Sequence, residues 1–214
     1  MTPRTSVSAR FFMIVSLGTA LTLTACGIST QPQSASPTVS ASASASVTGA
    51  PSPTSTAVYK PADAKGKAEN VPVPVLPEAA KANTKEGVEA FARYWYDLMN
   101  FAYETGDLKP VNTVTGSGCA SCSRVRPTVE EWNSGGKWIE GGKLSIVAAD
   151  TKFTPDTGGN YQVIIQYHRQ AISYHRSDGS VEQSSPKTSL QADIMIANFN
   201  NGAWTASNVD RIGG

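Results

Sequence analysis

Between residues 85 and 105 apolar side chains recur every three or four positions, and beyond Gly142 they recur every two. This change of period constrains the fold more than any other feature of the chain. Val88, Phe91, Ala92, Trp95, Leu98, Met99 and Ala102 make one stripe of an amphipathic helix. Asn83-Thr84-Lys85-Glu86 offers a cap with an acid three residues on, and Gly106 is a natural stop. Glu86, Glu89, Arg93, Asp97, Asn100 and Glu104 fall on the opposite side, with Arg93 and Asp97 one turn apart and able to pair. Tyr94, Tyr96, Phe101 and Tyr103 flank the stripe; they either wall a ligand pocket or complete the core, and the core reading is preferred. A second, shorter helix is predicted over Pro127–Trp132, with Pro127 in its first turn and Gly135-Gly136 at its end.

Beyond Gly142 the alternation predicts strands. Lys143 to Lys152 is the first. Tyr161, Val163, Ile165 and Tyr167 form an apolar face, with Gln162, Ile164, Gln166 and His168 on the other. Ser177-Asp178-Gly179-Ser180 is a turn. Leu190, Ala192, Ile194 and Ile196 share one face of a long strand. Asn201-Gly202 then makes a two-residue hairpin returning through Ala203 to Arg211. That turn sets Phe199 opposite Trp204 and Ile194 opposite Val209. It also sets Asp193 against Asp210, an unfavourable pair that Arg169, Arg211 or a slip of register could relieve.

Helices followed by an antiparallel meander give an α+β class. The expected architecture is a long N-terminal amphipathic helix and a short helix packed on a curved antiparallel sheet of four to five strands. It is similar to the cone-shaped nuclear-transport-factor-2-like (cystatin-like) folds, in which a sheet wraps the helix and often leaves a cavity.

The first 25 residues read as a targeting segment. Arg4 and Arg10 precede an apolar run, Phe11 to Thr22, shorter than the ~20 residues a membrane-spanning helix needs. Leu23-Thr24-Ala25-Cys26 resembles the lipobox of bacterial lipoproteins, which implies cleavage before Cys26, diacylglycerol on its sulfur and frequent acylation of the new amino terminus. Two acyl chains anchor stably where one does so only marginally. Gly27 to Val58 carries no charged residue and is nearly all Ser, Thr, Ala, Pro, Gln and Gly, too poor in apolar side chains to offset the entropy of ordering. It is expected to be a flexible stalk spanning about 30 Å, either bare or carrying O-linked sugars. In Val71-Pro72-Val73-Pro74-Val75-Leu76-Pro77 the prolines forbid a helix. The stretch is a proline-rich recognition segment or, preferably, a strap packing Val71, Val73 and Leu76 on the domain. The organisation is therefore a signal peptide over 1–25, a lipidated cysteine and stalk over 26–59, and one domain over 60–214.

The chain has 18 Lys+Arg and 17 Asp+Glu; loss of Arg4 and Arg10 leaves 16 against 17. Such a balance gives no electrostatic footprint for nucleic acid. With Cys26 lipidated, Cys119 and Cys122 remain, a pair expected to be oxidised outside the cytoplasm.

Further stretches resemble an uncharacterised family of actinobacterial lipoproteins. They are Tyr59-Lys60-Pro61, Glu69-Asn70-Val71-Pro72-Val73-Pro74, Gly87 through Asp97, Tyr103-Glu104-Thr105-Gly106-Asp107, Cys119-Ala120-Ser121-Cys122 and Gly136 through Gly142. The resemblance implies the anchor and a single domain, and brings no catalytic residues with it.

Cys119-Ala120-Ser121-Cys122 has the spacing of redox motifs but lacks a thioredoxin-type βαβ setting, so a structural clip is preferred to thiol exchange. Zinc lacks a second ligand pair. His168 and His175, seven apart, fall on opposite faces of a straight strand. Tyr96, Tyr167, His168, Asp193 and Trp204 are the candidates for lining a cavity. His168 or Asp193 with a tyrosine donor would be the acid–base set of an isomerase or dehydratase. No nucleophile elbow, phosphate loop, paired carboxylates or cofactor motif is present in the sequence. The expectation is a non-enzymatic, membrane-anchored module on the extracytoplasmic face, binding an envelope protein, a wall component or a small apolar ligand. A cavity enzyme and an exported thiol-redox protein are the alternatives.

Overall fold

Thr84 starts the first α-helix because its hydroxyl accepts the Gly87 amide at 3.0 Å while its backbone is still extended. In the computed structural model, which describes residues 57–213, this helix α1 runs Lys85–Thr105. The cap is thus Thr84, not Asn83. The helix ends on Gly106, whose φ of 78° a side chain would resist. Cys26, the targeting segment and nearly all of the stalk lie outside the described residues. A lead-in over 57–77 and a 3₁₀ turn, Glu78–Lys81, precede α1. Two more helices follow, α2 (Lys109–Thr113) and α3 (Ala120–Trp132), and then seven strands: β1 (Trp138–Gly141), β2 (Leu144–Asp150), β3 (Asn160–Arg169), β4 (Ile172–His175), β5 (Val181–Ser185), β6 (Gln191–Asn200) and β7 (Ala203–Arg211).

The class is α+β, with all strand pairs antiparallel. The single curved sheet of four to five strands is not found. There are two sheets, β1-β4-β5 and β2-β3-β6-β7. The cause lies at Gly141 and Gly142, whose φ values of 73° and 74° turn the chain out of β1 before β2 begins. A side chain at Gly141 would sit 2.3 Å from the Ala171 carbonyl.

The stripe of α1 packs on the inner face of the four-stranded sheet. Val88, Phe91, Trp95, Leu98 and Met99 meet Val163 and Ile165 of β3, Met195 and Ala197 of β6 and Trp204, Ala206 and Val209 of β7 in one buried cluster. Each of the larger aliphatic and aromatic side chains in this cluster contributes about 1.5–3 kcal/mol. Asn100, expected on the exposed side, is half-buried and clamps α1 to the start of β2. Its Oδ1 accepts the Leu144 amide at 2.8 Å, and its Nδ2 donates to the Leu144 carbonyl at 3.1 Å. Arg93 and Asp97 form no ion pair; both are exposed.

Three further expectations are corrected. The inward face of β6 is Asp193, Met195 and Ala197, leaving Ile194 and Ile196 facing outward. Cross-strand partners share a face, and β3 pairs Val163 with Met195 and Ile165 with Asp193, which fixes the parity. Helix α3 begins at Ala120, seven residues earlier than predicted, and holds Pro127 in its interior. Its first turn is satisfied from outside: the Ala120 amide donates to Asn208 Oδ1 at 3.0 Å, and the Cys122 amide to Cys119 Sγ at 3.1 Å. In the lead-in, Val71, Pro74 and Leu76 are turned inward, whereas Val73 is exposed.

The hairpin turn at Asn201-Gly202 has φ values of 53° and 79°, and Phe199 lies opposite Trp204 as the turn demands. Beyond Ile196 the register slips: a bulge at Ser207 sets Met195 opposite Val209, Ile194 opposite Asp210 and Asp193 opposite Arg211. One extra residue thereby replaces a like-charge pair with an opposite-charge pair. The outer edge of β7 is covered where Ala206 exchanges backbone bonds with Val114 and Gly116.

Candidate functional site

A cleft of about 720 Å³ opens between α1, α3 and the inner face of the larger sheet. Trp95, Tyr96, Met99 and Tyr103 reach it from successive turns of α1. Ser121, Arg124 and Val125 come from the first turns of α3, and Leu144, Tyr167 and Arg169 from β2 and β3. Thr188, Gln191, Asp193, Asp210 and Arg211 complete it. Its volume falls in the range of small-molecule sites.

At its floor Asp193 is buried, with three donors on its two oxygens. Tyr96 Oη donates to Oδ2 at 2.6 Å; Tyr167 Oη and Arg211 Nε donate to Oδ1 at 3.1 and 3.0 Å. Arg211 Nη2 also donates to Tyr167 Oη at 2.8 Å, closing the network. A buried carboxylate is tolerable only when paired and hydrogen-bonded, and this one is both. Burial, reinforced by the Asp193 charge, pushes the Tyr96 hydroxyl far above its ordinary value and the Tyr167 hydroxyl up to about 12. Burial likewise lifts Tyr103 to about 12, against the opposing pull of Arg169. These phenols are therefore donors at neutral pH, not bases. At the rim Arg124 pairs with Asp210 at 2.6 Å, an exposed contact worth at most about 1 kcal/mol.

Of the residues singled out in the sequence, Tyr96, Tyr167 and Asp193 meet in this cleft. His168 does not. It lies on the opposite face of β3 from Tyr167, with Nδ1 3.1 Å from the Thr188 carbonyl. Trp204 is core: its indole N–H donates to the Ala82 carbonyl at 3.0 Å, and Phe91, Tyr161 and Phe199 surround it. His175 belongs to the smaller sheet, buried and stacked on Trp138 with ring centroids 4.8 Å apart, its Nε2 2.7 Å from Glu140 Oε2. The two histidines do not converge. Cys119 and Cys122 are joined by a disulfide across the N-terminus of α3, with Cys119 buried. The sequence reading missed Arg124 as a cleft residue; Tyr103 was placed as either pocket wall or core, with core preferred, and Arg169 and Arg211 were visible only as possible relief for Asp193. No isolated motif marks arginines that converge from α3, β3 and β7.

Among the described residues no group of three or more His, Cys, Asp or Glu side chains could hold a metal ion. No helix among them is long and apolar enough to cross a membrane. A comparison with curated proteins finds no match. The profile of one family does match, over residues 57–210, which takes in both sheets, all three helices and every residue of the cleft but Arg211. The chain belongs to that family, the family of unknown function DUF6318.

Proposed function

We propose that this chain is an envelope lipoprotein, tethered by lipid on Cys26 to the extracytoplasmic face of a membrane, and that its domain is a non-enzymatic binding module using the cleft above α3. The anchor is supported by Leu23-Thr24-Ala25-Cys26 after a short apolar run, by the uncharged segment that follows, and by the resemblance to actinobacterial lipoproteins. The Cys119–Cys122 bond suits an oxidising compartment.

The observation that carries the binding reading is the state of Asp193. An acid–base catalyst needs a carboxylate free to take a proton from substrate. Here both oxygens are occupied by Tyr96, Tyr167 and Arg211. The network holds the cleft open and in shape, which is what a binding site requires.

Thermal-shift screening of the intact chain against small amphipathic molecules tests the reading. A ligand should raise Tm and be recovered chemically unchanged by mass spectrometry. Conversion of the bound molecule would make the protein an enzyme, and a screen without one stabilising molecule would end the binding proposal. The anchor has its own test: the native chain should enter the detergent phase on partitioning, and Cys26→Ser should not.

A further inference from the structure

Three arginines line the cleft, and two of them are neutralised: Arg124 by Asp210 at 2.6 Å and Arg211 by Asp193 at 3.0 Å. Arg169 differs. No carboxylate lies within 4.0 Å of it among the described residues, and its guanidinium meets only the carbonyls of Gln170 and Pro186, at 3.3 and 3.5 Å. Its backbone is nonetheless fixed. The Arg169 amide donates to Thr188 Oγ1 at 3.0 Å, and the Arg169 carbonyl accepts the Thr188 amide at 2.9 Å. A rigid backbone thus presents one uncompensated planar cation to a cleft whose accessible apolar walls include Tyr103, Val125 and Leu144.

From this juxtaposition we infer that the cleft binds an organic monocarboxylate with an aromatic or bulky aliphatic body, the carboxylate forked by Arg169 and the body lying against Val125 and Leu144. The inference rests on the cleft being a binding site and adds the class of its ligand. A guanidinium matches a carboxylate bidentately in one plane. A single net positive charge suits a single negative one. A second charge on the ligand would face Arg124 and Arg211 only at the expense of their existing partners. A cation would be repelled by the net positive charge of the three arginines, and an uncharged apolar ligand would leave the Arg169 charge desolvated with only the Gln170 and Pro186 carbonyls to offset it. Fixing the Arg169 backbone beforehand lowers the ordering cost of binding.

The test is calorimetry on the intact chain in detergent, with protein-free micelles as blank. The probes are 1-naphthoate and 4-phenylbutyrate, each beside its neutral amide, and inorganic phosphate. Each acid should bind at least tenfold more tightly than its amide. Arg169→Gln should abolish that preference, and Arg169→Lys should retain only part of it. Circular dichroism and Tm of both variants guard against misfolding. The ligand class is overturned if acid and amide bind alike, if the preference survives in Arg169→Gln, or if phosphate binds as tightly as the acids. Those outcomes leave the cleft as a site for another ligand. If neither acids nor amides bind, the inference and the binding reading fall together.

Discussion

Replacing Asp193 by asparagine keeps the size of the side chain and removes its charge. The three donors that converge on Asp193 respond differently. The Tyr96 and Tyr167 hydroxyls can rotate and accept from the new amide N–H, so their loss is partial. The Arg211 Nε–H, 3.0 Å from Oδ1, can only donate; the asparagine oxygen can still accept it there, but without the carboxylate charge that makes such a bond worth about 1.5–3 kcal/mol. Breaking a fully buried pair would cost about 3–5 kcal/mol, but the Arg211 side chain is 41% exposed and can turn to water. The net expectation is a loss of about 2–3 kcal/mol, or about 5–10 °C in Tm for a domain of this size. Urea unfolding followed by the fluorescence of the buried Trp95 and Trp204 reads it, with an unchanged m-value as the check that the unfolded state is unaltered. Arg211→Gln and the double variant complete a cycle whose coupling should exceed about 1 kcal/mol. An Asp193→Asn protein within about 0.5 kcal/mol of the parent, or strictly additive single changes, would show that this network does not hold the floor of the cleft.

Gly141→Ala places a methyl 2.3 Å from the Ala171 carbonyl at a φ of 73°; it should cost at least about 2 kcal/mol by denaturant unfolding, whereas Gly135→Ala, with open space around it, should cost about 1–2 kcal/mol from its backbone conformation alone. Removing the clip with Cys119→Ser closes no loop in the unfolded chain and, for a four-residue loop, should cost about 2 kcal/mol. Its effect should be seen as faster amide exchange at the start of α3, with β7 protected as before. Raised phenol values work against the fold only in alkali. Tyr103 and Tyr167 titrate near 12 when folded and near 10 when unfolded, so their contribution is intact below pH 10 and is lost as pH climbs from about 10 to 12. Tyrosinate absorbance should therefore rise in step with loss of the folded signal, and full ionisation of a still-folded domain at pH 11 would contradict the burial described.

Periodic segments were legible and charge-driven ones were not. The stripe from Val88 to Ala102 and the alternation from Tyr161 to Tyr167 each had one dominant period, and the Asn201-Gly202 turn had a specific backbone requirement. β5, Val181–Ser185, is exposed or nearly so at every position and offers no alternation to read. β1 is four residues long and ends in glycine. The face of β6 was misread because Ile194 and Ile196 out-score Asp193 as inward residues when the strand is considered alone. Only its pairing with β3, and the guanidinium waiting on β7, make the acid the buried member. The cleft shares that difficulty, since its cations are separated by more than forty residues along the chain.

The extra residue at Ser207 also bears on when this domain can form. Until β7 docks with its bulge in place, Asp193 has no cation and its carboxylate has only the Tyr96 and Tyr167 hydroxyls to hold it. A nascent chain that has produced everything through β6 therefore lacks both the cation for Asp193 and the Trp204, Ala206 and Val209 side chains of the core. On the proposed export route this amounts to a delay: the chain would stay easy to pull through a channel until Arg211 arrives to complete the sheet.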